Sequence, residues 1–320
     1  MSVVSTISKP LSWKIVTGHG AHIKASLQHV RISHQGVIEE ILLADLDHLL
    51  LYGGHVLHTS ALVHLLNADV FISFYTTNGE LVGTVTPPSL SIHSDIRAAQ
   101  LKRMEHPFDL AKQFVSTAME ARIQTIEEYD RKYKTNSGTL LRAGEIDVLY
   151  QKLNETEFLI KIDELRRVNR FVHDMYYEIY ARLFDPALMF RRRTNTPYQD
   201  PVNAMLALGH SMISSCVFAS LQGAFLDPNE GVLHFGHLGL VHDMADLHKA
   251  KMIDIPLISY IQNHPPSEED IIWSSQRCSL SSRLISHLAA HFSATIDKKK
   301  IDAHVQQFVA KVIGVTQKSA

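Results

Sequence analysis

Three side chains between residues 230 and 250 have the types and spacing of a metal site. His234 stands alone before an acidic segment in which Asp243 and Asp246 lie three residues apart. Residues with this spacing share one face of a helix, so the two carboxylates could together hold a hard cation through oxygen ligands. Acidic residues are also common near the start of an ordinary helix, where the macrodipole favours them. The spacing alone leaves both interpretations open.

The composition is that of a globular protein large enough for two domains. The chain has 320 residues, of which 45% are hydrophobic and 20% charged. It has no run of about eighteen apolar residues, and its N-terminus lacks the order of a signal peptide, so we expect a cytoplasmic protein without a membrane partner. Cys216 and Cys278 are too far apart to form a metal-binding motif.

The charge distribution limits where nucleic acid could bind. The net charge is −2, and residues 1–95 carry four Lys and Arg against seven Asp and Glu, so the first domain is not expected to grip DNA. Basic clusters occur later, at Arg166-Arg167 with Arg170, at Arg191-Arg192-Arg193 and at Lys298-Lys299-Lys300. Such clusters make salt-dependent phosphate contacts, although each one alone is also typical of a solvated surface.

The periodicity of the sequence changes near residue 95. From Trp13 to Val85, short apolar runs alternate with turn signals, of which Asn78-Gly79 is the strongest hairpin signal. Helix-period sequence follows, with long amphipathic helices predicted at about 108–134, 155–184 and 200–224 and a break at Asn136-Ser137-Gly138. These patterns predict an α+β protein, with a small N-terminal β-sheet domain at 1–95 and a larger all-helical domain at 96–320.

Three motifs in register resemble one family. They are Gly231-Val232-Leu233-His234 followed by Leu240 to Lys249, Arg191-Arg192-Arg193 followed by Asp200-Pro201-Val202-Asn203, and the sheet-domain segment from His58 to Gly83. Together they are similar to the motifs of the CRISPR-associated adaptation integrases, the Cas1 family, over roughly residues 30–265. The resemblance implies a metal-dependent DNA endonuclease and integrase that cuts DNA strands and joins new spacers into the CRISPR array.

The resemblance also implies a ligand set for Mg²⁺ or Mn²⁺, made of a glutamate, a histidine and an acidic residue. His234 and Asp246 match two of these catalytic and metal-binding positions, with Asp243 in support, but the position of the glutamate is occupied by Asn169. Loss of that carboxylate should weaken the binding of either ion. His173, four residues later on the same helical face, could replace it as a ligand or could be a buried structural histidine.

The same resemblance implies partners and DNA-contacting residues. The partners are spacer and repeat DNA, a second copy of the chain bound through the sheet domain, and the smaller protein Cas2. We assign DNA binding to five basic residues, which are Arg170, Arg191, Arg192, Arg193 and Lys249.

Two other functions stay open. In one, Asn169 leaves a DNA-holding subunit with weakened or no nuclease activity, and the substitution Asn169→Glu should restore Mn²⁺-dependent cleavage if the site is otherwise intact. In the other, His242-Asp243 belongs to an HD-type metal phosphohydrolase, with His234 or His237 upstream. That motif is only two residues long, and the sheet-forming first domain is atypical of such helical enzymes.

Overall fold

A computed structural model describes residues 13–77, 81–87, 94–134, 140–275 and 277–314. They form two compact units. The first takes in the N-terminal segment to Gln100, Ser214–Asp227 and the C-terminal segment from Asp297, and the second consists of Leu101–Ile213 and Pro228–Ile296. The prediction of a boundary at residue 95 rested on the change of periodicity along the chain, and periodicity does not indicate that later helical segments group with the sheets.

The first unit contains a four-stranded sheet with buried central strands. Its strands are β1 (Trp13–Thr17), β5 (His48–Tyr52), β7 (Phe71–Tyr75) and β8 (Leu81–Val85), in the order β1-β5-β7-β8. The first three run parallel, whereas β7 and β8 pair antiparallel, as the predicted hairpin requires. The turn signal Asn78-Gly79 itself lies outside the described residues. Every residue of β5 is buried, which explains its apolar run from Leu49 to Tyr52.

A second sheet of this unit has one exposed edge. Its strands are β2 (His22–Ala25), β3 (His29–His34), β4 (Val37–Leu42) and β6 (Val56–Leu57), in the order β4-β3-β2-β6, and helix α1 (Thr59–Asn67) follows. Ile23 and Val30 of this sheet join Leu65 of α1 and Ile72 of β7 in one core. The edge strand β4 is largely exposed along its whole length, including Val37 and Ile38.

Helices dominate the rest of the described chain. They are α2 (Ser94–Met104), α3 (Phe108–Lys134), α4 (Glu145–Glu155), α5 (Ile162–Tyr180), α6 (Pro201–Gly223), α7 (Gly239–Asp246), α8 (Ile255–Asn263), α9 (Ser282–Thr295) and α10 (Lys298–Val312), and a π-helical turn at Ala250–Asp254 precedes α8. The prediction of a single helix at 155–184 was wrong at its start. The Glu164 carboxylate accepts the backbone N–H of Lys161 at 3.1 Å, and this cap starts α5 at Ile162. The predicted break at Asn136-Ser137-Gly138 lies outside the described residues.

The predicted fold class is confirmed, since N-terminal sheets precede a helical region. One addition is a short antiparallel pair, β9 (Ile271–Trp273) and β10 (Cys278–Leu280), inside the region predicted to be all-helical. Helix α6 is apolar and long enough to span a bilayer, but 89% of its most hydrophobic window is buried inside the protein. It is therefore a core helix.

Candidate functional site

The loop that carries His234 is organised by the buried carboxylate of Asp243 on α7. This carboxylate accepts the backbone N–H groups of Val232 at 2.6 Å, Leu233 at 3.0 Å and His234 at 3.2 Å, and it also bonds His234 Nδ1 at 2.7 Å. Four donors thus occupy its oxygens. The lone pairs of Asp243 hold the loop in this arrangement, and its assignment as a metal ligand stays a prediction.

Glycine is required at the point where this loop meets α7. A Cβ atom at Gly231 would lie 2.2 Å from the His234 carbonyl oxygen and 2.9 Å from Asp243 Oδ2, and one at Gly239 would lie 2.3 Å from the same carbonyl. These separations are shorter than van der Waals contact. The two glycines of the sequence motif therefore allow the backbone to approach closely enough for Asp243 to bind it.

His234 is oriented and partly exposed. Its bond to Asp243 raises the pKa of the imidazole, against the opposing effect of burial. Because Nδ1 faces the carboxylate, Nε2 is the ring nitrogen left for another partner. His242, whose ring packs edge-on against that of His234 at 5.8 Å, has its pKa lowered to about 4 by burial and by the charge of Lys249.

A second cluster joins three helices around Asp246. Its Oδ1 accepts from Lys249 Nζ at 2.5 Å, and its Oδ2 lies 3.4 Å from Nη2 of Arg122 on α3. Nη1 of the same arginine donates to Asn169 Oδ1 on α5 at 2.9 Å. Although burial alone would raise the pKa of the Asp246 carboxyl, the charges of Lys249 and Arg122 lower it well below its usual range. Asp246 is therefore an anion held between two cations.

Arg122 is the member of this cluster that sequence reasoning missed. It is 5% exposed and lies in a helix whose neighbouring positions, such as Ala118, Met119 and Ile126, are buried. A charged residue within the apolar stripe of a helix is almost never fully buried unless it is paired. That pattern is the signal that could have indicated a buried partner for Arg122.

The residues at this site do not fit a divalent cation as they are arranged. Within the described ranges, no three His, Cys, Asp or Glu side chains lie close enough together to hold a metal ion. Both oxygens of Asp246 and the amide oxygen of Asn169 already accept from cationic groups. Mg²⁺ and Mn²⁺ prefer anionic oxygen ligands, and two neighbouring positive charges oppose their entry.

His173 does not complete the site. It lies on α5, bonds Asp174 at 3.2 Å and packs edge-on against the Tyr177 ring at 4.9 Å. Burial and the charge of Arg122 lower the pKa of the imidazole. These contacts favour the structural alternative for this residue.

The Asp200-Pro201-Val202-Asn203 motif fastens the arginine segment to the start of α6. Asp200 caps the helix by accepting the Asn203 backbone N–H and side-chain Nδ2, each at 2.7 Å. The Asn203 side chain in turn bonds the Arg192 carbonyl at 2.9 Å and accepts from Arg193 Nη1 at 2.8 Å. This motif of the family resemblance therefore has a structural role here.

The five predicted DNA-binding residues separate into two groups. Arg193 is half-buried against Asn203 and Tyr198, and Lys249 is held by Asp246, so both are engaged within the protein. DNA contact by these two residues stays a prediction. Arg170 is 85% exposed, with Asp174 at a distance of 3.9 Å. Arg191 and Arg192 are exposed, and their guanidinium groups bond no other side chain in the described part of the protein. These three arginines are accessible to a phosphate.

A buried network behind the site fixes α5 against α6 and the π-helical turn. The Asp254 side chain is 1% exposed. Its Oδ2 accepts from the hydroxyls of Tyr176 at 3.0 Å and Tyr177 at 3.1 Å, and its Oδ1 bonds His210 Nε2 at 2.9 Å. Burial lowers the pKa of His210 to about 4, so neutral donors surround the carboxylate. Lys249 directly precedes this turn and bonds Asp246.

Comparisons with known proteins agree with the motif resemblance. The family model of CRISPR associated protein Cas1 matches residues 15–294. A putative CRISPR-associated endonuclease Cas1 of Methanospirillum hungatei is 35% identical over 300 residues, which cover 94% of this chain and 97% of the relative.

Solved structures show the same fold at low sequence identity. A Cas1 protein from Thermotoga maritima is 17% identical with a TM-score of 0.80, and the alignment covers 96% of this chain and 99% of that one. A chain of a Cas6-RT-Cas1–Cas2 complex has a TM-score of 0.83 at 17% identity over 98% of this chain, which spans only 37% of the larger one. By sequence along most of its length, this chain belongs to the Cas1 family.

Proposed function

We propose that this chain acts in CRISPR spacer acquisition as a DNA-binding Cas1 subunit that does not itself supply a metal-dependent cutting centre. The observation that carries the proposal is the Asp246 cluster, in which the chain's own cations occupy the oxygens that a metal would need. Asn169 agrees with it, since an amide offers no negative charge to a divalent ion. Family membership supports the pathway, and the exposed arginines support DNA as the ligand.

A basic cleft in the second unit supports DNA binding. It is a cavity of about 1160 Å³ lined by residues between Ala181 and Asp200, with Arg191 and Arg192 at its wall. Glu145 pairs with Arg182 at 2.7 Å and Asp200 bonds Asn203, so Asp185, which accepts the backbone N–H of Ala187, is the lining carboxylate that offsets part of the charge of Arg191 and Arg192. The charge left for a ligand is positive, and planar guanidinium groups match phosphate oxygens well.

The proposal is tested by binding and cleavage with the same preparation. Labelled branched, double-stranded and single-stranded DNA is incubated with the natural chain in Mg²⁺, Mn²⁺ or EDTA. We expect binding that survives EDTA and no cutting in any buffer. Metal-dependent cutting that is lost in both His234→Ala and Asp246→Ala would contradict the non-catalytic part of the proposal, and absence of DNA binding would contradict the rest.

The second candidate is a metal-dependent endonuclease and integrase. The oriented His234 favours it, since its Nε2 is free of the Asp243 bond. The Methanospirillum hungatei relative is itself named a putative endonuclease. The cleavage experiment above separates the two candidates.

We further propose a homodimer formed through the sheet domain, and Cas2 as a partner. The edge strand β4 supports the first proposal, because Val37 is 68% and Ile38 61% exposed on a strand whose outer edge pairs with no other strand of the described residues. Cas2 is proposed from family membership, and a Cas1–Cas2 assembly is among the structures of similar fold. Light scattering measures the molar mass of the natural chain and of the variant Val37→Lys/Ile38→Lys. We expect a dimer for the natural chain and a monomer for the variant.

The double variant Arg191→Ala/Arg192→Ala should bind DNA more weakly and with a smaller salt dependence. Each lost phosphate contact removes about 0.9 from the slope of log K against log salt for duplex DNA, so two contacts remove about 1.8. Fluorescence anisotropy between low and moderate salt measures this slope. Lys102→Ala/Arg142→Ala removes the same charge from two other exposed positions and should leave the slope close to that of the natural chain. Equal slopes for both double variants would argue against the cleft.

A further inference from the structure

The arrangement around Arg122 bears on the metal that the family implies. The guanidinium reaches from α3 to both Asn169 Oδ1, at 2.9 Å, and Asp246 Oδ2, at 3.4 Å. A divalent ion shared by residues 169 and 246 would have to lie between these same oxygens. We propose that Arg122, together with Lys249, is the resident cation of this site and takes the place of a metal ion.

Charge complementarity supports this assignment. The guanidinium of Arg122 is buried at this site and supplies a positive charge that no metal needs to supply. Asp246 provides one negative charge, and Lys249 holds its other oxygen at 2.5 Å. With a glutamate in place of Asn169, the charges would balance, because two cations, Arg122 and Lys249, would face two carboxylates. With asparagine the four groups carry a net positive charge, which repels Mg²⁺ or Mn²⁺.

Asn169 and Arg122 therefore function as a pair. The amide oxygen accepts one N–H of the arginine without adding charge, and the second guanidinium nitrogen is left for Asp246. The result is a link between α3, α5 and α7 that forms without any ion. This has a consequence for the substitution Asn169→Glu, because the new carboxylate would meet Arg122 first and form an ion pair with it. Restoring the glutamate alone would then not restore metal binding.

The test measures metal binding rather than cleavage. The full-length natural chain, freed of metal with EDTA and dialysed, is titrated with Mn²⁺ while the free ion is followed by electron paramagnetic resonance. Thermal unfolding is recorded with Mn²⁺ and with EDTA. We expect no saturable binding at up to millimolar Mn²⁺ and the same melting temperature in both buffers.

Three variants locate the cause. Asn169→Glu should behave like the natural chain, whereas Asn169→Glu/Arg122→Gln should bind Mn²⁺ saturably, at least tenfold below the millimolar concentration at which the natural chain binds none. This double variant should also melt at a higher temperature with Mn²⁺ than with EDTA. Asn169→Glu/Arg122→Gln/Asp246→Asn should lose that gain. Tight Mn²⁺ binding by Asn169→Glu alone would overturn the role of Arg122.

The natural chain decides the proposal even if a variant fails to fold. Saturable Mn²⁺ binding by the natural chain that is lost in Asp246→Asn would overturn it. The inference deepens the proposed function, on which it rests for the identity of the site, but the two fail separately. Mn²⁺ binding without DNA cleavage contradicts this inference alone, and absence of DNA binding in EDTA contradicts only the proposed function.

Discussion

Asp254→Ala is expected to lower the free energy of unfolding by roughly 3–5 kcal/mol, the largest effect of a single substitution near the site. The carboxylate is 1% exposed and holds Tyr176, Tyr177 and His210 together. Its removal leaves three buried polar groups without their partner and opens a void between α5, α6 and the π-helical turn. Urea denaturation followed by circular dichroism measures the loss.

Two variants define what that result would mean. Tyr177→Phe removes one of the three bonds and should cost about 1 kcal/mol, because a single buried hydrogen bond contributes on that order. Asp147→Ala, at an exposed position of α4, should change stability by less than about 0.5 kcal/mol. If Asp254→Ala cost no more than Tyr177→Phe, the carboxylate would not be the centre of the network.

Much of the fold could be predicted because local pattern and burial agree. The buried strand β5 has an apolar run from Leu49 to Tyr52, and α6 begins where the sequence Asp200-Pro201 predicts a capped helix. The start of α5 could not be predicted from apolar spacing, because it is set by the bond from Glu164 to the backbone of Lys161. Helix periodicity continues on both sides of that residue.

The candidate site was predicted only in part. Contacts between residues close in the sequence could be predicted, whereas a contact from a distant helix could not. His234 and Asp243 come together because the close approach at Gly231 and Gly239 is encoded within a few residues. Asp246 has one partner that is close to it in the sequence and one that is distant. Lys249 is three residues away on the same turn, whereas Arg122 comes from a helix more than a hundred residues earlier. Only the packing of α3 against α7 brings this guanidinium to the site. The spacing of residues within a motif does not predict how two distant helices pack.

Acid should destabilise the sheet-containing unit through His48, and the substitution His48→Gln should remove that effect. His48 is 2% exposed, and its Nε2 bonds Ser73 Oγ at 2.7 Å. Burial lowers its pKa to about 3 from 6.5. Below pH 6.5 the unfolded chain therefore binds a proton that the folded chain does not, and the free energy of unfolding falls as the pH falls towards 3.

At pH 4 this difference amounts to about 3 kcal/mol for His48 alone, since each pKa unit corresponds to 1.36 kcal/mol. His210 and His242 contribute in the same direction, so the natural chain should lose more in total. The free energy of unfolding of the natural chain and of His48→Gln is first measured in urea at pH 7.5. At this pH His48 is neutral in both the folded and the unfolded chain, so the difference between the two proteins is the reference. Repeating the measurement at pH 4 should show the variant losing about 3 kcal/mol less than the natural chain. An equal loss in both would mean that His48 takes up its proton without unfolding, through an opening of the strands that bury it.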